Sequence, residues 1–167
     1  KQGGTGTRSE EEDQPSGLPG GLETGTLNSV GIAGLGAGLR YVLEQGTDRI
    51  CAHEATLLQR LLDGLRTIPG LTIYGPADPA RQVGTVSVRL EHWEPMDVGV
   101  ALDQEFDIAV RTGLHCAPLA HRTIGTFPTG TVRLSLSYLN TMEEVGQVVE
   151  ALRCLAAQWA RGLPRVN

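Results

Sequence analysis

Residues 131–144, TVRLSLSYLNTMEE, hold the two patterns on which the fold turns. Val132, Leu134, Leu136 and Tyr138 alternate with Arg133, Ser135 and Ser137, the period of two that sends every second side chain to the same face of a strand. Thr141, followed three residues later by Glu144, forms a capping box, in which each side chain bonds the other residue's backbone N–H at a helix start. The helix it opens turns Val145, Val148, Leu152, Leu155 and Trp159 to one side. A half-apolar strand handed directly to an amphipathic helix specifies a sheet with helices packed on one face.

The same periods recur upstream. Thr85–Leu90 alternates, with Val86, Val88 and Leu90 on one face. Leu71–Tyr74 is a short strand held between Pro69-Gly70 and Gly75-Pro76, and Ile108–Arg111 is another. Pro95 opens a helix reaching about Phe106, proline being favoured at the first helical position. Thr47 caps a helix to about Ile68 whose apolar face is Ile50, Leu57, Leu58, Leu61, Leu62, Leu65 and Ile68. His53, at the edge of that face, reads as a partly buried structural histidine, and Cys51 and Cys154 as core or half-buried thiols.

Asn28 or Ser29 caps a helix over residues 30–45, stopped by Gly46. Its four internal glycines, Gly31, Gly34, Gly36 and Gly38, forfeit roughly 4 kcal/mol against alanine. That cost predicts a buried helix packed closely through its backbone. Residues 1–28 read as an extended segment and 112–130 as a loop. The order α–α–β–β–α–β–β–α gives an α+β fold, a small antiparallel or mixed sheet packed against helices.

Composition narrows the function classes. An apolar fraction of 40% and a charged fraction of 20% suit a globular chain, and 167 residues suffice for one domain with a real core. A net charge of −5 with scattered arginines argues against nucleic acid, which needs clustered cations. The longest near-apolar run, Val30 to Leu39, is about half the ~20 residues of a membrane helix. Residues 1–16 lack the apolar stretch of a signal peptide. Cys51, Cys116 and Cys154 show no CxxC spacing, which disfavours a disulfide framework and a zinc site and suits a reducing cytoplasm. Lys1 is the only lysine among 14 basic side chains.

The stretch most suggestive of chemistry is 110–119, VRTGLHCAPL. A strand delivers Arg111 and breaks at Gly113 into a loop bearing His115 and Cys116. The thiolate is the nucleophilic form of cysteine, and Arg111, His115, His121 or Arg133 could supply the positive field that favours it. Free cysteines are usually inert packing residues. His115, Cys116 and His121 match no zinc spacing. Arg133, on the polar face of its strand, is either a paired-hydrogen-bond partner for a substrate carboxylate or an ordinary exposed arginine. Gly3, Gly4 and Thr5, and Thr26 just before a helix N-terminus, have the small residues and hydroxyls that form anion-binding nests.

These segments resemble the C-terminal portion of cysteine desulfurases of the class V aminotransferase family. The matching pieces are GGTGTRSEEE at 3–12, LETGTLNSVGIAGLGAGL at 22–39, VRTGLHCAPLAHRTIGTFPTGTVRLSLSYLNT at 110–141, and the terminal EEV helix. The resemblance implies the small C-terminal α+β domain of a fold type I pyridoxal-phosphate enzyme. Residues 1–28 would belong to the large-domain and dimer interface, and 29–167 would be a connecting helix plus the small domain. It also implies pyridoxal phosphate as cofactor, its ring acting as an electron sink, with L-cysteine as substrate and a homodimer as the assembly. A sulfur-acceptor protein would be the partner.

On that resemblance Cys116 is the nucleophile that takes up sulfur as a persulfide, leaving L-alanine. Arg133 binds the substrate carboxylate, with Arg111 and His115 beside it. Gly3, Gly4, Thr5 and Thr26 contact the cofactor phosphate, across the homodimer. The family's cofactor lysine matches no position here, so the chain by itself is expected to be inactive. Selenocysteine lyases and other class V aminotransferases share the frame. A non-catalytic sulfur-relay or interaction module is the reading from another class, and the missing lysine favours it.

Overall fold

The computed structural model of the protein describes residues 4–6, 10–23 and 25–160, with backbone alone at 159 and 160. The chain divides into two compact units, residues 1–47 and 48–167. Gly3, and the Trp159 side chain expected on the last helix's inner face, lie outside the described residues.

Among its described residues the first unit contains one regular element, helix α1 (Ser29–Gln45). Asn28 caps it by accepting from the Gly31 N–H at 2.9 Å, and Gly46, at φ +81°, donates its N–H to Val42 O to close it. The expected bounds hold, but the expected burial does not. No residue of α1 is buried, and a Cβ at Gly34 or Gly38 would meet nothing within 4 Å. Val30, Ile32, Leu35, Leu39 and Leu43 are all exposed. Gly34 and Gly38 therefore serve no close packing among the described residues, whereas at Gly31 a Cβ would come within 2.5 Å of the capping Asn28 side chain.

The second unit begins with helix α2 (Thr47–Leu65) and continues through β1 (Leu71–Tyr74), β2 (Thr85–Leu90), α3 (Pro95–Phe106), β3 (Arg111–Gly113), α4 (Pro118–Thr123), β4 (Thr131–Ser135) and α5 (Met142–Ala160). The four strands form one sheet in the order β1-β2-β4-β3, antiparallel throughout. This is the expected α+β architecture.

Its core is the apolar half of each pattern. Leu57, Leu58, Leu61, Leu62 and Leu65 of α2 and Val145, Val149, Leu152 and Leu155 of α5 are buried with Val86, Val88 and Leu90 of β2 and Val132 and Leu134 of β4. Val98, Ala101 and Leu102 of α3 complete it. Gly64 lets α2 and α5 close together, since a Cβ there would come within 2.5 Å of Val149 Cγ2. The capping box forms: Glu144 accepts from the Thr141 N–H at 2.8 Å, and Thr141 Oγ1 accepts from the Glu144 N–H at 3.2 Å.

Three boundaries differ from expectation. The strand placed at Ile108–Arg111 is found at Arg111–Gly113, because the ladder starts where Arg111 meets Arg133. The loop placed at 112–130 contains α4, a helix too short to show a period. The strand expected to reach Tyr138 stops at Ser135; Asn140 Oδ1 accepts from the Ser137 N–H at 2.8 Å and turns the chain toward α5. His53 is half-buried as expected, its Nε2 3.0 Å from Asn140 O and its ring edge-on to Tyr138. Cys154 is partly buried, whereas Cys51 is exposed, six residues ahead of Leu57, the first buried leucine of α2.

Candidate active site

The sheet's second face carries the polar half of the alternation. The register puts Ser87, Arg133 and Arg111 in one row across β2, β4 and β3. Arg111 and Arg133 are thus direct cross-strand neighbours, an arrangement that is unfavourable for like charges. No carboxylate among the described residues pairs with either arginine. Arg133 Nε is buried and has no hydrogen-bond partner. A protein with net charge −5 has built a local cationic surface here, with one buried donor left open.

Past Gly113 the chain turns sharply. His115 and Cys116 take φ values of +50° and +61°, two consecutive left-handed positions without glycine. Such residues cost roughly 1–3 kcal/mol each and persist only where the surroundings over-determine them. Three contacts do so. The Ala117 N–H donates to Leu114 O at 2.8 Å. His115 Nε2 lies 3.2 Å from Thr131 Oγ1 at the start of β4. The His115 ring also rests on that of His121, centroids 5.6 Å apart.

The turn leaves Cys116 exposed, with its Sγ accepting from Arg111 Nη2 at 3.5 Å. The cation in contact with the sulfur is therefore Arg111. His115 does not supply that charge: burial, then the positive charges of Arg133, His121 and Arg111, hold its pKa below the usual imidazole value, against a backbone hydrogen bond at Thr131. His115 is accordingly neutral at pH 7, with its buried Nδ1 unpartnered.

Gly130 is required by the approach of β3 to β4, whereas Gly113, where a Cβ would meet nothing within 4 Å, is favoured only by its φ of +98°. Gly130, at φ +81°, lies so close to Gly113 that a Cβ would overlap the Gly113 carbonyl and sit 2.7 Å from its Cα. Buried Thr126 and Thr131 and buried His121 hold the loop from beneath. The motif reading left Thr126 and Thr131 out. Their only sequence signal is a pair of hydroxyls flanking the TFPTG turn, since their burial depends on the folding of α4.

In the first unit the two Gly/Thr segments come together. The Gly25 N–H donates to Gly4 O at 2.7 Å, and Thr5, Gly6, Gly25 and Thr26 line one cleft of about 420 Å³. Thr5, Thr26 and Ser29 bring hydroxyls to it beside the apolar Pro15, Pro19 and Leu27, and hydroxyls with main-chain amides are donors that suit a phosphate. Among the described residues, Glu23 is the one ionisable side chain lining it. A second cleft, of about 360 Å³, lies between residues 107–110 and the β4–α5 junction, away from Cys116. Among the described residues no three side chains of His, Cys, Asp or Glu come together as a metal site.

The family model for class-V aminotransferases matches residues 1–148. A cysteine desulfurase from Klebsiella pneumoniae is 44% identical over 133 residues, covering 79% of this chain and 31% of that protein. A probable cysteine desulfurase from Methanothermobacter thermautotrophicus is 37% identical over 140 residues, covering 83% of this chain and 34% of the relative. Among solved structures, the apo cysteine desulfurase from Thermococcus onnurineus superposes with a TM-score of 0.77 at 34% identity, over 87% of this chain and 34% of that one. The chain thus spans about a third of the length of the relatives it matches.

Proposed function

The chain belongs to the class-V aminotransferase family, and from that premise we propose that it is the C-terminal part of a pyridoxal-phosphate-dependent cysteine desulfurase with Cys116 as its sulfur-accepting nucleophile. The observation that carries the reading is the contact of Arg111 Nη2 with Cys116 Sγ, on a strained exposed turn beside the unpaired donor of Arg133.

Each residue then has a task. Arg133 binds the carboxylate of L-cysteine, which satisfies its open Nε and relieves its repulsion with Arg111. Arg111 orients the Cys116 sulfur. The Cys116 thiolate attacks the substrate sulfur, an S–S bond forming as the substrate C–S bond breaks, and L-alanine is released after protonation of its carbon. Neutral His115 packs behind the turn without adding a competing charge. Pyridoxal phosphate supplies the electron sink that makes the C–S bond labile. Thr5 and Thr26, with the main chain of Gly4, would hold its phosphate, as would Gly3, which lies outside the described residues. The covalent anchor is a lysine that the described residues do not contain, Lys1 being the only one in the sequence.

A homodimer and a sulfur-acceptor protein complete the proposal. The exposure of Cys116 leaves a persulfide open to such an acceptor. No helix among the described residues is long and apolar enough to cross a membrane, and the three free cysteines suit a cytoplasmic setting.

The test is direct. This chain joined to a cofactor-lysine domain, given pyridoxal phosphate and L-cysteine, should yield alanine and gain one sulfur on the Cys116 peptide by mass spectrometry. Cys116→Ala should abolish the persulfide and keep the cofactor's absorbance. Persulfide on Cys51 or Cys154 instead, or loss of cofactor colour in Cys116→Ala, would overturn the assignment.

A further inference from the structure

His121 touches neither Arg133, Arg111 nor the Cys116 sulfur through any hydrogen bond, yet it is among the most buried polar residues of the loop, 5% exposed. Its Nδ1 lies 2.7 Å from Thr126 Oγ1, and Thr126 Oγ1 donates to His121 O at 3.5 Å. Thr126 has one hydroxyl proton. Both bonds are satisfied together only when His121 Nδ1 carries a proton and donates it. The Thr126 and Phe127 N–H groups also donate to His121 O, at 2.9 and 3.2 Å, and the Gly130 N–H closes the turn on Thr126 O at 2.7 Å. The imidazole is therefore fixed in orientation by its own backbone's partners.

That fixed ring is the surface on which His115 rests, tilted 52° to it. His115 is also held by Thr131, whose Oγ1 lies 3.2 Å from its Nε2. His115 cannot leave its left-handed conformation without breaking one of these contacts, and Cys116 is the next residue along the same strained backbone.

We infer that His121 is a positioning residue for the nucleophile, acting through His115: its ring, locked by Thr126, holds the His115–Cys116 backbone so that the sulfur meets Arg111. The inference rests on the desulfurase reading above and goes beyond it by assigning a role to a buried residue that does not touch the reacting groups.

A nucleophile displaced by about 1 Å can lose up to ~100-fold in rate while substrate binding is untouched. In the holoenzyme, His121→Ala should therefore lower kcat for persulfide formation by roughly tenfold to a hundredfold, with KM for L-cysteine unchanged within about twofold because Arg133 is undisturbed. His121→Phe returns a flat ring beneath His115 and should recover most of that loss. If His121→Ala does not fold, Thr126→Val substitutes for it, keeping the ring but removing its lock, and the same loss in kcat alone is expected. Unchanged kcat in the folded variant, a parallel rise in KM, or no recovery in His121→Phe would each refute the inference. Absence of persulfide on Cys116 in the unmodified holoenzyme would instead remove the underlying functional reading.

Discussion

Gly130 and Gly125 offer a matched pair for testing how the β3–β4 approach builds the Cys116 loop. Both have positive φ, +81° and +74°, so alanine at either forfeits about 1–2 kcal/mol for entering the left-handed region. They differ in what a Cβ meets. At Gly125 there is nothing within 4 Å, whereas at Gly130 it would overlap the Gly113 carbonyl. That obstacle is backbone, and Gly113 is pinned by its register with Thr131, so no side-chain rotation relieves it. Forced overpacking adds about 1–3 kcal/mol. Gly125→Ala should thus cost about 1–2 kcal/mol and Gly130→Ala about 2–5 kcal/mol. In thermal melts of a unit this size the Gly130 variant should melt roughly 10–15 °C lower. Urea unfolding with linear extrapolation measures both. Equal losses for the two variants would refute the claim that the Gly113 contact is what fixes this edge of the sheet.

Two further outcomes follow from the described contacts. Thr141→Ala removes the hydroxyl that accepts from the Glu144 N–H and should destabilise α5 by about 1 kcal/mol in urea unfolding. The pKa of His115 is depressed on folding by burial and its cationic neighbours, so below the ordinary value of 6.5 the unfolded state binds more protons than the folded one. Stability of the loop should therefore fall as pH drops through 6.5 toward the lower folded pKa, and then level off; amide-exchange protection at Leu114–Ala117 between pH 7.5 and 5, taken relative to the intrinsic base-catalysed rate, reads it, and weaker protection at high pH would contradict the sign.

Much of the scaffold was legible because its signals are local. The alternation of Thr85–Leu90, the leucines of α2, proline at the start of α3 and the Thr141–Glu144 box each act within a few residues, and each forms as the pattern demands. What was misplaced depends on distant partners. Ile108–Val110 has strand-like residues, yet pairing starts only at Arg111, where β4 supplies Arg133. Six-residue α4 spans less than two turns and leaves no periodic trace. The glycines of α1 implied burial only on the premise that a helix recovers its conformational cost in close packing, and no residue of α1 does so. At the site, Cys116 and Arg111 could be named from their short spacing, but Thr126 and Thr131 are buried by a helix and a register that the sequence pattern did not reveal.

The places where local rules are broken converge on one patch. Among the described residues, two arginines stand opposite each other without an acid, an arginine donor is buried unpaired, and two adjacent residues without glycine's freedom hold left-handed backbone. Each is unfavourable taken alone, and nothing in the core of α2, α3, α5 and the sheet requires them. A purely structural loop would relax such features or replace them, with glycine at 115 or 116 and a neutral residue at 111. Their coincidence beside an exposed thiol is accounted for by a ligand that is anionic at one end and reacts with sulfur at the other. A carboxylate on Arg133 would remove the repulsion and satisfy the open donor at once. On the proposed reading the site would hold this repulsion and open donor without substrate and lose both with it, so that binding of L-cysteine would itself be a source of order for the loop.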